Sequence, residues 1–375
     1  MNKLIFIIIF FSIIFFSIGL SVGVYKFFPY YEIDEIKRII LSEDTSNKKY
    51  VMNKFIYDVD VDSQIHIFNS NDLEKKRSDL INYIWNQELL PTDLPTEIHQ
   101  NIYDSNYVDM KNLKQINQIE HKMEFKINSV SYMFIPKISN DKLVIYHQGH
   151  GGDFLKGKNT IDFFLNNGFT VLAFSMPLLG INDKPIIHTE EYGTFILNTH
   201  DHLKYLESKN FNPIKLFFEP ILVSINYLEK NFHYDEYYMV GISGGAWTAM
   251  YYSAIDDRIT QTYPVAGPYP LFIRSNYNTL GDYETEHTGL LKIVNELETF
   301  VLGSHGKDRK FVQIYNKYDS CCWDGDYFNI FEEIVKEKNM KLGGGYYDVI
   351  LDDTHHEHII SDHALNLIKN SMDSN

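Results

Sequence analysis

Short apolar runs and longer amphipathic segments follow one another along most of this chain. Between residues 115 and 149 three runs, QINQIEHKMEF, NSVSYMFIPK and KLVIYHQG, are separated by turn residues at Asn128 and at 139–141. Such runs are typical of strands, so we expect an antiparallel pair that leads into a buried strand. Farther along, helix-like and strand-like segments alternate: 160–166, FTVLAFS, 214–231, YYMVGIS, 244–254, ITQTYPVAG, then FVQIY, 329–338, YYDVIL and 361–370. This alternation predicts an α/β fold, with a mostly parallel central sheet and helices on both faces.

The longest apolar segment, LIFIIIFFSIIFFSIGLSVGV, occupies residues 4–24 and carries no charge. At about 1.5 Å per helical residue it is long enough to cross a hydrocarbon core of about 30 Å. We expect a retained signal-anchor helix, because the run continues to an aromatic and basic boundary at residues 25–28. The basic residues on its two sides do not decide the orientation, so we assume the usual one for a signal anchor, with the amino terminus inside. The alternative is a signal peptide cleaved after the small residues Ser21 and Gly23. The rest of the chain is then exported, either membrane-bound or, after cleavage, secreted or periplasmic.

The segment after this run differs in character from the rest of the chain. Residues 27–70 are charged, rich in Asn and Ser, and without a long period, which indicates a stalk or a loosely packed lead-in and not a domain; of these interpretations we favour an ordinary N-terminal extension. Residues 78–90 (SDLINYIWNQELL) have helical spacing and end before Pro91 and Pro95. We therefore divide the chain into a membrane or signal segment (1–26), a stalk (27–70) and one large domain (71–375).

Composition and charge narrow the classes of function. Of 375 residues, 44% are hydrophobic and 15% aromatic, which excludes a disordered chain. The net charge of −16 excludes nucleic acid as the main partner, because phosphates are bound by Lys and Arg. The two cysteines, Cys321 and Cys322, are adjacent, so no disulfide framework holds the fold. They are either two small buried residues or, in an exported domain, an oxidised pair that stiffens its loop.

A candidate nucleophile lies in the sequence GISGG, residues 241–245. It stands between an apolar strand (237–242) and a helix (246–254), the setting in which a G-x-S-x-G motif carries a catalytic serine. The neighbours of such a serine must be small, because the sharp turn that exposes its hydroxyl is crowded. We predict Ser243 as the nucleophile; a glycine-rich turn with an incidental serine is the alternative.

A serine hydroxyl needs a base, and the base needs a carboxylate that orients it. Asp319 follows the strand FVQIY, where open α/β sheets place functional side chains. We predict it as the acid, against the alternative of a turn-forming aspartate; Asp324 and Asp326 on the same loop are fallbacks.

Three histidines follow the next strand, YYDVIL. We select His358 as the base because Ser361 is a suitable N-cap for the last helix, and a base just ahead of that cap faces the cleft. His355 and then His356 are the alternates. A metal site in this cluster is not expected, because Glu357 is followed directly by His358 and the H-E-x-x-H pattern is absent. We expect no cofactor.

Acyl transfer also requires donors for an oxyanion, one of them the residue after the nucleophile. This predicts the backbone N–H of Gly244. The second donor is expected at His150 or Gly151, in the glycine-rich turn HQGHGG that follows an early strand. A turn whose glycines serve only backbone geometry is the alternative.

Together these segments resemble the α/β-hydrolase fold superfamily over residues 114–370. The resemblance rests on HQGHGG as an oxyanion turn, GISGG as a nucleophile elbow, YNKYD as an acid loop, HIIS as the histidine before the final helix, and FTVLAFSMPLLG as the fourth strand with its loop. The chain departs from the family's pattern in having three candidate histidines on a longer loop.

The interval at residues 268–310 is too long for one crossover helix, and intervals of this kind are commonly lids. We predict a helix within residues 281–303. The aromatic residues Tyr269, Phe272 and Tyr277 either line an apolar pocket or pack in the core.

The sequence thus predicts a serine hydrolase that cleaves a small-molecule or lipid-like carboxylic ester through an acyl-enzyme. A hydrolase-like binding protein without catalysis and an acyltransferase are the alternatives, since one fold hosts many chemistries.

Overall fold

The computed structural model of the chain describes residues 10–19, 54–274 and 281–374. The chain divides into two compact units, residues 1–54 and 55–375.

In the first unit, residues 10–19 are helical. They fall inside the predicted anchor at 4–24, and the remainder of that apolar run lies outside the described residues. Among the helices of the described part, none combines the length and the apolar character that crossing a bilayer requires. The anchor and its orientation stay predictions.

The second unit is built on a large sheet. Its strands are β1 (Glu97–Ile102), β2 (Leu113–Lys122), β3 (Asn128–Pro136), β4 (Lys142–His147), β5 (Thr170–Phe174), β6 (Ile186–Thr189), β7 (Gly193–Ile196), β8 (Glu236–Ile242), β9 (Ile259–Val265), β10 (Lys310–Asn316) and β11 (Tyr346–Asp352). Within the described ranges, nine of them form one sheet in the order β1-β2-β3-β5-β4-β8-β9-β10-β11, and β6 and β7 form a separate hairpin. β1, β2, β3 and β5 pair antiparallel; from β5 onward all pairs are parallel. The predicted α/β class with a mostly parallel sheet is confirmed.

Helices cover the sheet on both faces. They are α1 (Ser70–Trp85), α2 (Lys158–Asn166), α3 (Lys215–Asn231), α4 (Gly244–Ile255), α5 (Leu271–Arg274), α6 (Thr288–Ile293), α7 (Glu296–Ser304), α8 (Glu332–Lys341) and α9 (Asp362–Asp373). Ile161 of α2 and Leu365 of α9 join Val144 of β4 in one buried cluster. Leu143 and Ile145, which point to the opposite face, are also buried, as a parallel sheet between helices requires.

α4 is the helix that begins directly after the candidate nucleophile Ser243. Each of its residues is buried. The ring of Trp247 packs against Phe217 and Phe218 of α3, with centroids 5.4 Å apart in both pairs. The helix that carries the candidate serine at its start is therefore fixed by apolar packing along its whole length.

The compact unit begins earlier than the sequence indicated. In the segment predicted as a stalk, Ile65 and Ile67 are fully buried. Between them the N–H of His66 donates to Glu298 Oε1 of α7 at 2.8 Å. The predicted boundary at residue 71 thus falls inside the compact unit, because a few isolated apolar residues, scattered among polar ones, anchor this segment.

The first long helix also begins earlier than predicted. α1 starts at Ser70 and not at residue 78, because the Asn69 side chain accepts the N–H groups of Asn71 (2.9 Å) and Asp72 (3.2 Å) while the Asp72 carboxylate accepts the N–H of Asn69. This is a capping box. The helix ends at Trp85 and not at residue 90, since Asn86 adopts a left-handed conformation (φ 54°).

The interval 268–310 contains α5, α6 and α7, where we predicted one helix over 281–303. Every residue of α7 is buried, so this end of the interval belongs to the core. Tyr269 is buried and stacks on Tyr315 of β10 with ring centroids 4.1 Å apart, which is core packing and not a pocket lining. Tyr277 lies outside the described residues. A lid role for the rest of the interval stays a prediction.

The capping box yields a test of where α1 begins. We expect Asn69→Ala to lower the free energy of unfolding by about 1 kcal/mol, because two N–H groups of the first turn lose their acceptor. Its matched control is Asn71→Ala, two residues farther on, which should change the free energy by less than about 0.5 kcal/mol. Urea unfolding of the full chain measures both, and equal effects of the two substitutions would contradict the assignment.

Candidate active site

Ser243 occupies the sharp turn between β8 and α4. Its backbone has φ 58° and ψ −121°, a conformation that side chains other than glycine rarely adopt and that costs about 1–3 kcal/mol. Its carbonyl accepts the N–H groups of Ala246 (2.9 Å) and Trp247 (3.1 Å), which begins the helix immediately after the turn. This is the strained strand-turn-helix geometry of a nucleophile elbow.

Glycines allow this turn because other backbone approaches it closely. A Cβ on Gly241 would lie 2.1 Å from the carbonyl oxygen of Gly245, and one on Gly245 would lie 2.1 Å from that of His147. Real Cβ atoms do not come so close, so both positions require glycine in this packing. The small residues of GISGG therefore have the steric role that the sequence predicted.

Asp319 and His358 form a hydrogen-bonded pair on neighbouring loops. His358 Nδ1 lies 2.7 Å from Asp319 Oδ2. The other carboxylate oxygen, Oδ1, accepts the backbone N–H groups of Cys321 (2.7 Å) and Cys322 (3.2 Å). The Asp319 side chain has no exposed surface, and among the described residues the buried Nε2 of His358 has no hydrogen-bond partner. This nitrogen is thus free to act on a proton.

The parallel sheet places the three predicted residues at one edge. Ser243, Asp319 and His358 follow the carboxyl ends of β8, β10 and β11. These ends lie within two residues of one another across the sheet. Ile242, the last residue of β8, and Ile314 of β10 both pair with Val265 of β9, and β10 ends two residues later, where Asn316 pairs with Asp352 at the end of β11. In open α/β sheets this edge is where ligands bind.

Side-chain hydrogen bonds stabilise the loop between β11 and α9, which carries His358. Asn316 Nδ2 donates to the carbonyl of Ile359 at 2.9 Å. Ser361 caps α9, as predicted, and its hydroxyl also donates to the Asp352 carboxylate. Burial raises the pKa of Asp352, but the hydrogen bonds from Ser361 and Thr354 outweigh it and leave the pKa below its ordinary value. A carboxylate at the end of β11 therefore stays ionised and holds both ends of the loop.

The alternate histidines and acids have other surroundings. His355 Nε2 lies 3.4 Å from Asp352 Oδ2, and His356 is exposed. Burial raises the pKa of Asp324, and Asp326 is exposed. The structure therefore gives His358 the carboxylate partner that we predicted, while the catalytic roles stay predictions.

A disulfide joins Cys321 and Cys322. Of the two interpretations that the sequence left open, the structure has the oxidised pair. The two residues whose N–H groups bind Asp319 Oδ1 are thus linked covalently, which limits the conformations of the acid loop.

The turn after β4 lies directly on the nucleophile elbow. A Cβ on Gly149 would lie 2.5 Å from the carbonyl oxygen of Ile242 and 2.6 Å from Ser243 Cβ. Gly149 is not among the predicted site residues, although it belongs to the predicted oxyanion turn HQGHGG. This close approach places the turn beside the Ser243 side chain.

The predicted oxyanion donors, Gly244 and either His150 or Gly151, differ in their contacts with the turn at Ser243. Gly244 is the first residue of α4, where N–H groups have no partner within the helix. The imidazole of His150 packs on it, since a Cβ on Gly244 would lie 2.4 Å from His150 Cε1. The atoms nearest to a Cβ on Gly151 belong instead to Gln148 and Lys156. Of the two candidates for the second donor, His150 is the one in contact with the elbow.

Two further residues contact this turn and were missed. His200 and Glu284 lie beside His150, with His150 Nε2 3.1 Å from His200 Nδ1. They are 50 and 134 residues farther along the chain than His150, and no local pattern connects them.

No family model and no curated protein matches this chain. Among solved structures, the chain is similar to the acetyl xylan esterase from Paenibacillus sp. R4, with a TM-score of 0.57 and 13% identity over 84% of this chain and 98% of that one. It is also similar to acetyl xylan esterase 1 from Thermoanaerobacterium sp. JW/SL YS485, with a TM-score of 0.54 and 12% identity over 80% of this chain and 92% of that one. These similarities confirm the resemblance inferred from the sequence: the chain has the α/β-hydrolase fold.

Proposed function

We propose that this chain is a serine hydrolase that cleaves a carboxylic ester. Ser243 is the nucleophile, His358 the general base and Asp319 the acid that orients the imidazole. The observation that carries the proposal is the pairing of His358 Nδ1 with Asp319, which leaves a buried Nε2 without a partner.

The hydrogen bonds of Asp319 determine the tautomer of His358. One oxygen accepts two backbone N–H groups and the other faces His358 Nδ1, so the carboxylate acts only as an acceptor. Nδ1 must therefore carry the proton of the neutral imidazole. The lone pair is then on Nε2, where a general base needs it.

The reaction runs in two halves. Ser243 Oγ attacks the ester carbonyl carbon while His358 Nε2 takes its proton, and the Asp319 carboxylate stabilises the resulting imidazolium. The backbone N–H groups of Gly244 and His150 stabilise the oxyanion. The intermediate collapses to an acyl-enzyme, and the imidazolium gives its proton to the departing alcohol. Water then attacks the acyl group with the same base, and the acid is released.

Two structural neighbours are named as acetyl xylan esterases, which makes an acetyl ester the first substrate to test. Retention of the apolar N-terminal segment as a membrane anchor, with this unit exported, is part of the proposal. It would bring the site close to lipid-like esters as well as soluble ones.

The proposal predicts which side chains matter for hydrolysis of p-nitrophenyl acetate. Ser243→Ala and His358→Asn should each lower kcat/KM by about 10²-fold or more, because each removes one part of the proton relay. Steady-state kinetics of the full-length protein measures this. The matched control is His356→Asn, on the same loop but exposed, which should keep activity close to wild type.

Three results would count against this assignment. Equal loss in His356→Asn and His358→Asn would point to damage of the loop and not to a base. Absence of hydrolysis by folded wild-type protein would favour the non-catalytic binding protein. Faster transfer to an added alcohol than to water would indicate the acyltransferase.

The disulfide provides a separate test of the acid loop. Since these are the two cysteines of the chain, any effect of a reductant on activity arises from Cys321 and Cys322. We expect Cys321→Ser/Cys322→Ser to lower kcat by less than the ~10²-fold that a 1 Å misplacement of a catalytic group costs, since the N–H donors to Asp319 remain. The doubly substituted protein should not respond to reductant.

Alkylation followed by intact mass measurement verifies the redox state. The wild type should gain no alkyl groups without reductant and two with it. Free thiols in protein purified without reductant, or reductant sensitivity of the cysteine-free variant, would contradict this role of the pair.

A further inference from the structure

Three side chains that are potential metal ligands, His150, His200 and Glu284, lie together beside the turn at Ser243, and none of these side chains has a part in the proposed triad. His200 Nδ1 is 3.0 Å from Glu284 Oε2, and His150 Nε2 is 2.8 Å from Glu284 Oε1. The two imidazole nitrogens are 3.1 Å apart. Three potential ligand atoms from three separate loops thus converge on one point.

A backbone carbonyl holds the His200 ring in place. His200 Nε2 lies 2.8 Å from the carbonyl of Pro177, which can only accept, so Nε2 carries a proton. The other ring nitrogen, Nδ1, faces both Glu284 Oε2 and His150 Nε2, which is the side from which a shared cation would be bound.

The carboxylate is incompletely satisfied. The Glu284 side chain has no exposed surface, yet among the described residues no group donates a hydrogen bond to its Oε1, which lies 2.8 Å from His150 Nε2. An acceptor buried in this way costs free energy unless a cation or a donor compensates it.

We propose that His150, His200 and Glu284 bind a divalent transition-metal ion, with Zn²⁺ as the best match. A cation among the three atoms lets both nitrogens present lone pairs and satisfies the carboxylate. Two imidazoles and one carboxylate form a ligand set that zinc uses with a fourth position open to water. The ligand atoms lie about as close together as a tetrahedral ion with bonds of about 2.0–2.2 Å requires.

The surroundings of the cluster suit such a site. The hydrogen bond from His200 Nε2 to a backbone carbonyl fixes the ring and leaves Nδ1 to the metal, as is usual for ligating histidines. The side chains of His150 and Asp282 are partly exposed, which gives an ion access from solvent, and Asp282 Oδ2 lies 3.2 Å from His150 Nε2.

Two other groups of potential ligands occur in the described ranges, and both fit less well. His99, Glu97 and Glu120 are largely exposed on strands at the sheet edge. In the group of Cys321, Cys322 and His358, the sulfurs are joined in a disulfide. At the proposed site, by contrast, His200 and Glu284 are buried, and among the described residues Glu284 Oε1 is a buried acceptor without a donor.

The test measures metal binding directly and does not depend on the proposed hydrolase activity. The full-length protein is stripped with a chelator and titrated with Zn²⁺ by calorimetry. We expect one tightly bound ion per chain, and a melting temperature that rises with Zn²⁺ concentration. His200→Gln and Glu284→Gln should each abolish this binding. The control His99→Gln, which removes the exposed group, should retain it.

Substitution by Co²⁺ identifies the ligands in the wild type, so the test holds even if a buried variant does not fold. We expect the intense visible absorption of tetrahedral Co²⁺ without thiolate charge-transfer bands. Absence of tight binding by folded protein, thiolate bands, or full binding in both folded variants would each overturn the proposal. Metal binding without esterase activity would leave this site standing and refute only the proposed function.

Discussion

The buried carboxyl group of Asp319, at the carboxyl edge of the sheet, sets the main constraint on this site. A polar side chain without exposed surface must be compensated by hydrogen bonds, and Asp319 has them with two consecutive backbone N–H groups and with His358. The disulfide holds the two backbone donors together. Satisfying this one carboxylate therefore fixes the conformation of the acid loop and the orientation of the imidazole.

The sheet supplies the precision that this arrangement requires. The carboxyl ends of β8, β10 and β11 support the three loops, and the wholly buried α4 stabilises the unfavourable backbone of Ser243. Close packing of Gly149 on the elbow brings a second loop to the same point. The strain is local, while its compensation is spread over the core.

The sequence predicted what depends on local pattern. Alternating segments gave the mostly parallel sheet, and the GISGG motif between strand and helix located the turn at Ser243. The N-cap at Ser361 selected the histidine that pairs with Asp319. Capping patterns were also present where we missed them, since Asn69 and Asp72 mark the start of α1.

What the sequence did not reveal depends on contacts between distant segments. The few apolar residues of 56–67 gave no periodic signal, although Ile65 and Ile67 are buried. The contacts of His150 with His200 and Glu284 join loops far apart in the chain, and no spacing encodes them. Which loops meet above a sheet follows from its strand order, and periodicity alone does not determine that order.

The central claim is that Ser243 is an activated nucleophile. A broad fluorophosphonate reacts covalently with such a serine, and peptide mass mapping locates the adduct. The account predicts a single adduct on the peptide that carries Ser243, loss of labelling in Ser243→Ala, and strong slowing in Asp319→Asn. Folded wild-type protein that is not labelled, or an adduct on another residue that persists in Ser243→Ala, would contradict it.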